Sequence, residues 1–402
     1  MGLSKFIKKL NLIYIMKKGV IILILIVVIG IGGFFFFDYS KPDIAEKQVG
    51  NTEFSVEEEH WNRLFEKAFE TVDCSQARNP STLPEGYYKG QMLDTHIHLK
   101  SLPDGEPGFP LEFYTGENLG TTHSMDEWIC MMDYEGTYKA FGFFPVWEPI
   151  INKSIEAVNM TMKKYPGRFV PFIMPPADDG SPTGYPTVNS RELNDMLVIE
   201  PGLFEGYGEI GLYSRGGGAK ELPPDSQRLQ EIYPVLREQN LVAYFHLGEN
   251  QGDSLERVAG ENRDIKFIFH GDQLVDCAEC NGNLDEVAGI LERNPNIYYG
   301  VDELYGGDWL LKPGESKEKF LANFEDYDII LEKDLARWKE FIETHPDQVL
   351  WGTDRGVSTS WDLDTDVALT LNNYTRAFIG RLDTAVQEKF AYKNAERLLE
   401  EK

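Results

Sequence analysis

Cysteine is scarce, with four in 402 residues, so no disulfide scaffold holds this chain together. Basic residues are also short. The 39 Lys and Arg face 66 Asp and Glu, leaving a formal charge of −27. Phosphate backbones are bound by clustered Lys and Arg, so this balance argues against a nucleic-acid partner. No Gly-rich phosphate loop follows the first strand pattern, which weighs against a doubly wound nucleotide-binding sheet. Internal repeats are absent, and no low-complexity segment lies outside the leader. Long apolar runs are missing too, with one exception.

That exception is 20–37, eighteen residues without a charged or strongly polar side chain. Before it stand Lys5, Lys8, Lys9, Lys17 and Lys18 with no acid, so residues 1–19 carry +5 and the remainder −32. At about 1.5 Å per residue the run just crosses a bilayer core. No small-x-small cleavage site ends it and no Cys follows closely, so it reads as an uncleaved anchor rather than a signal peptide. The positive-inside bias places 1–19 in the cytoplasm and everything after Asp38 outside.

Residues 38–85 read as a polar linker with one amphipathic helix over 56–72, where Trp61, Leu64, Phe65, Ala68 and Phe69 recur at helical spacing. Beyond Gly86 the pattern changes. Strand patterns fall at 90–98, 138–147, 168–175, 206–213, 241–246, 265–270, 296–301 and 348–354. Helical patterns lie between most of them, as at 124–134, 151–165, 226–239 and 284–293. Eight strands with helical connectors predict an α/β fold, a (β/α)8 TIM barrel over 86–402, preceded by the transmembrane anchor helix.

Seven His occur, and His96, His98, His246 and His270 end predicted strands, which form the catalytic face of a barrel. Asp94-Thr95-His96-Ile97-His98 places two imidazoles on one side of a strand, able to grip one ion together. His246 and His270 each close an apolar run, and Asp354 closes the last strand. Several His with a carboxylate suit zinc or a similar divalent ion.

The chain resembles the amidohydrolase superfamily of metal-dependent barrels from Gly86 onward. Stretches 125–134 before Lys139-Ala140, Tyr165-Pro166-Gly167-Arg168-Phe169-Val170-Pro171-Phe172 and Gly208-Glu209-Ile210-Gly211-Leu212-Tyr213 are similar to its amidohydrolase-related branch. So are 345–354 and Lys393-Asn394-Ala395-Glu396-Arg397-Leu398-Leu399. That branch also contains metal-dependent decarboxylases. The resemblance implies His96, His98, His246 and Asp354 as ligands of one divalent metal, with His270 donating to a developing oxyanion. Asp354 would take a proton from the metal-activated water. Glu209 stays open between orienting a ligand His and bridging two ions, with His246 and His270 on the second; one ion is the expectation.

Weaker signals surround this set. Arg215 and Arg355 follow the fourth and eighth strands, where a substrate carboxylate could be gripped. Trp147, Tyr213, Tyr305 and Trp309 could line a pocket, and Glu249 and Asp272 could steady a ligand His. Cys277 and Cys280 could form a local disulfide, whereas Cys130 reads as a lone core residue. His60, His123 and His345 fall outside the pattern. The expected function is hydrolysis of a C–N or C–O bond in a small organic substrate. The alternatives are non-oxidative decarboxylation of an unsaturated or aromatic acid, and a non-catalytic binding module. The oligomeric state has no signal in the sequence.

Overall fold

The computed structural model describes residues 51–74, 79–99, 123–148, 150–214, 220–271, 284–302, 304–305, 316–356, 361 and 364–402, without the side chains of 51–57 and His60. The expected membrane span at 20–37 lies outside these. Among the described residues no helix is long and apolar enough to cross a membrane. Residues 58–402 form one compact unit.

Eight parallel strands pair in chain order: β1 (Met92–His98), β2 (Thr137–Pro145), β3 (Phe169–Met174), β4 (Gly206–Gly211), β5 (Val242–His246), β6 (Phe267–His270), β7 (Ile297–Val301) and β8 (Val349–Trp351). Helices follow or separate the strands. Those used below are α1 (Asn51–Ala68), α2 (Met125–Glu135), α3 (Ile151–Lys164) and the C-terminal α4 (Asn394–Glu400). Helix α1 begins five residues before the expected 56, because 51–56 continue the helix beyond its apolar stripe.

Alternation along the strands separates two cores. Leu93, Phe141, Phe143, Val170, Phe172, Val242, Tyr244, Ile268, Tyr298 and Leu350 fill the barrel interior, joined by Ala395 and Leu398 of α4. Met92, Ala140, Phe144, Tyr207, Phe245, Phe267, Tyr299 and Trp351 face the helix layer. Strand β4 contributes Gly206 and Gly208 where the interior is already filled. A Cβ on Gly206 would lie 2.1 Å from the Phe172 ring, and one on Gly208 2.3 Å from the Tyr244 carbonyl oxygen.

Two strands break this alternation. Between Asp94 and Ile97 β1 advances three residues while β2 advances two, from Ala140 to Gly142. One extra residue reverses the parity. Leu93 and, beyond the bulge, His96 and His98 therefore share the interior side, while Met92 and Ile97 pack outward. Strand β4 repeats the device: Tyr207 to Ile210 spans three residues opposite Ala243 to Phe245.

The β8–β1 seam closes through a bridge and side chains. Ile97 pairs with Arg355, the His98 N–H donates to the Arg355 carbonyl at 2.8 Å, and Thr95 Oγ1 donates to the Trp351 carbonyl at 2.8 Å. Asp94, fully buried, accepts from the backbone N–H groups of His96 and Thr353 and from Thr353 Oγ1. Burial pushes its carboxyl up to about 6, with nearby Arg355 opposing. Asp94 is thus the acceptor of three hydrogen bonds that tie the seam.

Cys130 is not a lone core residue. It is disulfide-bonded to Cys74, 56 residues earlier, pinning the arm before β1 to α2. Sequence spacing hid this pair because nothing in the pattern shows the arm returning to α2. Closing a loop of that length contributes about 4 kcal/mol in the chain-entropy account, with typical measured values of about 2–4. Cys130→Ser is expected to lower unfolding free energy by about 2–4 kcal/mol in chemical denaturation. A change below about 0.5 kcal/mol would show that the bridge constrains nothing. Cys277 and Cys280 lie outside the described residues.

Candidate metal centre

The ends of β1, β4, β5, β6, β7 and β8 deliver all seven of the site's side chains by parity alone or parity plus a bulge. His246 continues Val242 and Tyr244, and His270 continues Ile268. Asp302 continues Tyr298 past Gly300, and Asp354 continues Leu350 past Gly352. The two glycines clear space: a Cβ on Gly352 would lie 2.9 Å from that of His96, and one on Gly300 3.0 Å from the Tyr244 hydroxyl. Asp354 has a φ of 50°, the left-handed region that Asp tolerates.

Three donor groups result: two share Glu209, and the third, His96, His270 and Asp302, is joined through the Nδ1 contacts of its two rings. In the first, His98 Nε2 lies 3.1 Å from His96 Nε2 and 2.9 Å from Asp354 Oδ1, and His96 Nε2 lies 3.3 Å from that oxygen. Glu209 Oε2 completes it, 3.6 Å from His96 Nε2 and 3.4 Å from His98 Nε2. A tetrahedral ion with ligand bonds of about 2.0–2.1 Å has donors about 3.3 Å apart. Five of the six edges of this group, at 2.9–3.6 Å, match that spacing, so the residues fit a divalent ion.

In the second group, Glu209 Oε1 lies 2.8 Å from His246 Nδ1 and 3.2 Å from His270 Nε2, and all three donors fall within 4.8 Å of one another. Glu209 thus turns one oxygen to each of these two groups. His246, expected with His96 and His98 on one ion or with His270 on a second, stands with His270, because β5 and β6 adjoin each other across the mouth from β1. His270 meets Asp302 through Nδ1 at 2.7 Å, and its Nε2 faces Glu209 at 3.2 Å.

Asp302 was missed by a strand pattern that stopped at Val301, one residue short. A carboxylate at a strand end was the available signal. Its Oδ2 accepts from Nδ1 of His96 at 2.8 Å as well as from His270. Asp302, Glu209 and Asp354 bring three carboxylates into one mouth, and the imidazoles respond. Burial alone lowers His96, but Asp354, Asp302 and Glu209 more than offset it and raise the ring to about 9. The same opposition raises His98 and lifts His270 well above its usual value. Burial would raise Glu209, yet bonds from His246, His270, His96 and His98 hold it well below the carboxylate range.

Other expected positions diverge. Arg355 does not reach the mouth. Only 4% exposed, it forms a two-pronged ion pair with Glu135 of α2, Nη2 to Oε2 at 2.9 Å, and donates Nε–H to Thr353. Trp147 packs with Trp61, Leu64, Phe65 and Ile150 against α1, since the chain turns outward after β2. Tyr305 is buried, with its hydroxyl bonded to Thr375. Tyr213 stands beside His246, ring centroids 4.5 Å apart, and borders a cavity of about 770 Å³ with Ser214, Glu221, Glu249, Asn250 and Gln251. His345 packs on Phe341 away from the site. Arg215, Trp309 and Asp272 lie outside the described residues.

The amidohydrolase family model matches residues 93–400. The chain belongs to the amidohydrolase family. No curated protein matches it. Among solved structures, this family member is similar to an amidohydrolase from Burkholderia multivorans with bound zinc, at 12% identity and a TM-score of 0.47 over 77% of this chain and 99% of the other. It is also similar to a 5-carboxyvanillate decarboxylase from Novosphingobium aromaticivorans complexed with manganese (12% identity, TM-score 0.43, 82% and 100% covered). A dihydroorotase from Campylobacter jejuni gives 12% identity and a TM-score of 0.42, with 77% and 83% covered.

Proposed function

We propose that this protein is a two-metal hydrolase acting on a C–N or C–O bond of a small organic substrate. The observation that carries the reading is Glu209, with one oxygen toward each of the two donor groups that share it. His96, His98, Asp354 and Glu209 would hold the first ion; Glu209, His246 and His270 the second. Divalent ions held there would supply Lewis acidity, lowering the pKa of a water and polarising the scissile group.

The chain's own residues then divide the work. Asp354 Oδ1 faces the His98 and His96 rings, while Oδ2 has no partner among the described residues and is available to take a proton and return it to the leaving group. Asp302 holds two rings in one tautomer, and Glu209 keeps its negative charge. Tyr213 walls the cavity where the rest of the substrate would sit. That cavity is lined by Glu221, Asp225, Glu249 and Asp253, against a single Arg257 already paired with Asp225. A neutral or cationic group suits it better than the carboxylate of a decarboxylase substrate, and Arg355, one of two cations expected to hold such a carboxylate, is committed to Glu135.

Metal content per chain is the deciding measurement, made beside His246→Ala. About two ions in the parent and one in the variant are expected. Turnover of lactone or amide panels without CO2 release should accompany them. CO2 release from aromatic acids without hydrolysis would replace this reading with decarboxylation.

The site is proposed to work outside the cytoplasm, tethered by the apolar run at 20–37. The Cys74–Cys130 bridge supports that placement, since structural disulfides persist in oxidising compartments. The full chain should sediment with membranes and resist alkaline extraction. Recovery in the soluble fraction would remove the anchor.

A further inference from the structure

Asp302 touches a histidine of each of the two groups that share Glu209, through a single oxygen. Its Oδ2 lies 2.8 Å from His96 Nδ1 and 2.7 Å from His270 Nδ1, with the two rings edge to face at 4.6 Å between centroids. A carboxylate only accepts, so both contacts keep a proton on Nδ1 and make Nε2 the nitrogen that faces the mouth and binds an ion once its own proton is lost. His96 Nε2 belongs to the first group and His270 Nε2 to the second. The Asp302 side chain is 4% exposed and meets both rings at Nδ1, whereas Glu209 faces them at Nε2.

We propose that Asp302 is the positioning residue shared by the two ion-binding groups, setting the tautomer and ring angle of one histidine in each so that both affinities depend on it together. The proposal rests on the two-ion reading. Glu209 links the groups as a ligand; Asp302 links them without touching an ion, through the far edges of the rings. Partners of this kind typically account for about 10–100-fold in metal affinity.

Removing a ligand and removing Asp302 therefore leave different signatures. His246 serves one group only, so His246→Ala should weaken one ion and spare the other. Asp302→Ala should weaken both, each by about 10–100-fold. Asp302→Asn retains a carbonyl oxygen that can accept the same two N–H groups and should recover both affinities to within about tenfold of the parent. Asp302→Leu, similar in volume and unable to accept, should not.

The test is equilibrium titration of the metal-free protein with cobalt(II), followed by its visible absorption, with far-UV circular dichroism on each variant. Two cobalt ions in the parent, paired losses in Asp302→Ala and Asp302→Leu, and recovery in Asp302→Asn are expected. A loss confined to one ion, or equal affinities in the Asn and Leu variants, would overturn the shared role. If Asp302→Ala does not fold, the Asn–Leu comparison decides. Fewer than two cobalt ions in the parent would overturn the two-ion reading itself, and this inference with it, before any variant is compared.

Discussion

Asp354→Asn is expected to lower turnover by about 10³-fold while leaving the melting temperature within about 2 °C of the parent. Asn keeps the shape and an oxygen able to face His98, but it cannot accept a proton at neutral pH. General acid–base groups typically contribute 10²–10⁴-fold. The side chain is 17% exposed, the most open of the first donor group, so little packing is lost. Turnover at saturating substrate beside calorimetry checks this. Activity within tenfold of the parent would assign the proton to another group.

Metal affinity should fall steeply with acid. In the metal-free protein the imidazoles hold protons: burial opposes this, but the three carboxylates prevail, leaving His96 at about 9 and His270 well above its usual value. A raised histidine is protonated below its pKa, and a ligating nitrogen must be bare, so binding expels a proton. Each expelled proton weakens apparent affinity tenfold per pH unit, about 100-fold between pH 8 and pH 6 for one and about 10⁴-fold for two. Competition with a chelator across that range measures the slope. A flat profile would mean that the rings are neutral without metal.

The barrel was legible in the sequence because each strand carries a compact apolar run and the helices between them are amphipathic; all eight strands fall inside or within a residue of the expected ranges. The histidines were legible as strand-end residues for the same reason. Their grouping was legible only as the two-ion alternative that the family resemblance offered. Whether His246 joins His98 or His270 depends on which strands adjoin around the mouth and on Glu209 lying between them, and spacing along the chain carries neither. Arg355 follows Asp354 directly, but the parity of β8 turns it to the other side, where Glu135 and Thr353 take its donors. The Cys74–Cys130 pair depends on where an arm outside the barrel runs.

The extra residues in β1 and β4 act as a shift of reading frame within the strand. Were the same residues to run as a regular strand with no bulge, the interior sequence begun at Leu93 would continue with Thr95 and Ile97, and both imidazoles would face the helix layer. The lower half of the strand thus obeys the frame of a packed core, and the upper half that of a chemical site. Substitution can change what each position carries, but only an insertion or deletion can change which side it serves. Deleting one residue between Asp94 and Ile97 would straighten the strand and still leave Ile97 outward and His98 inward, at the cost of the bulge that now sits there.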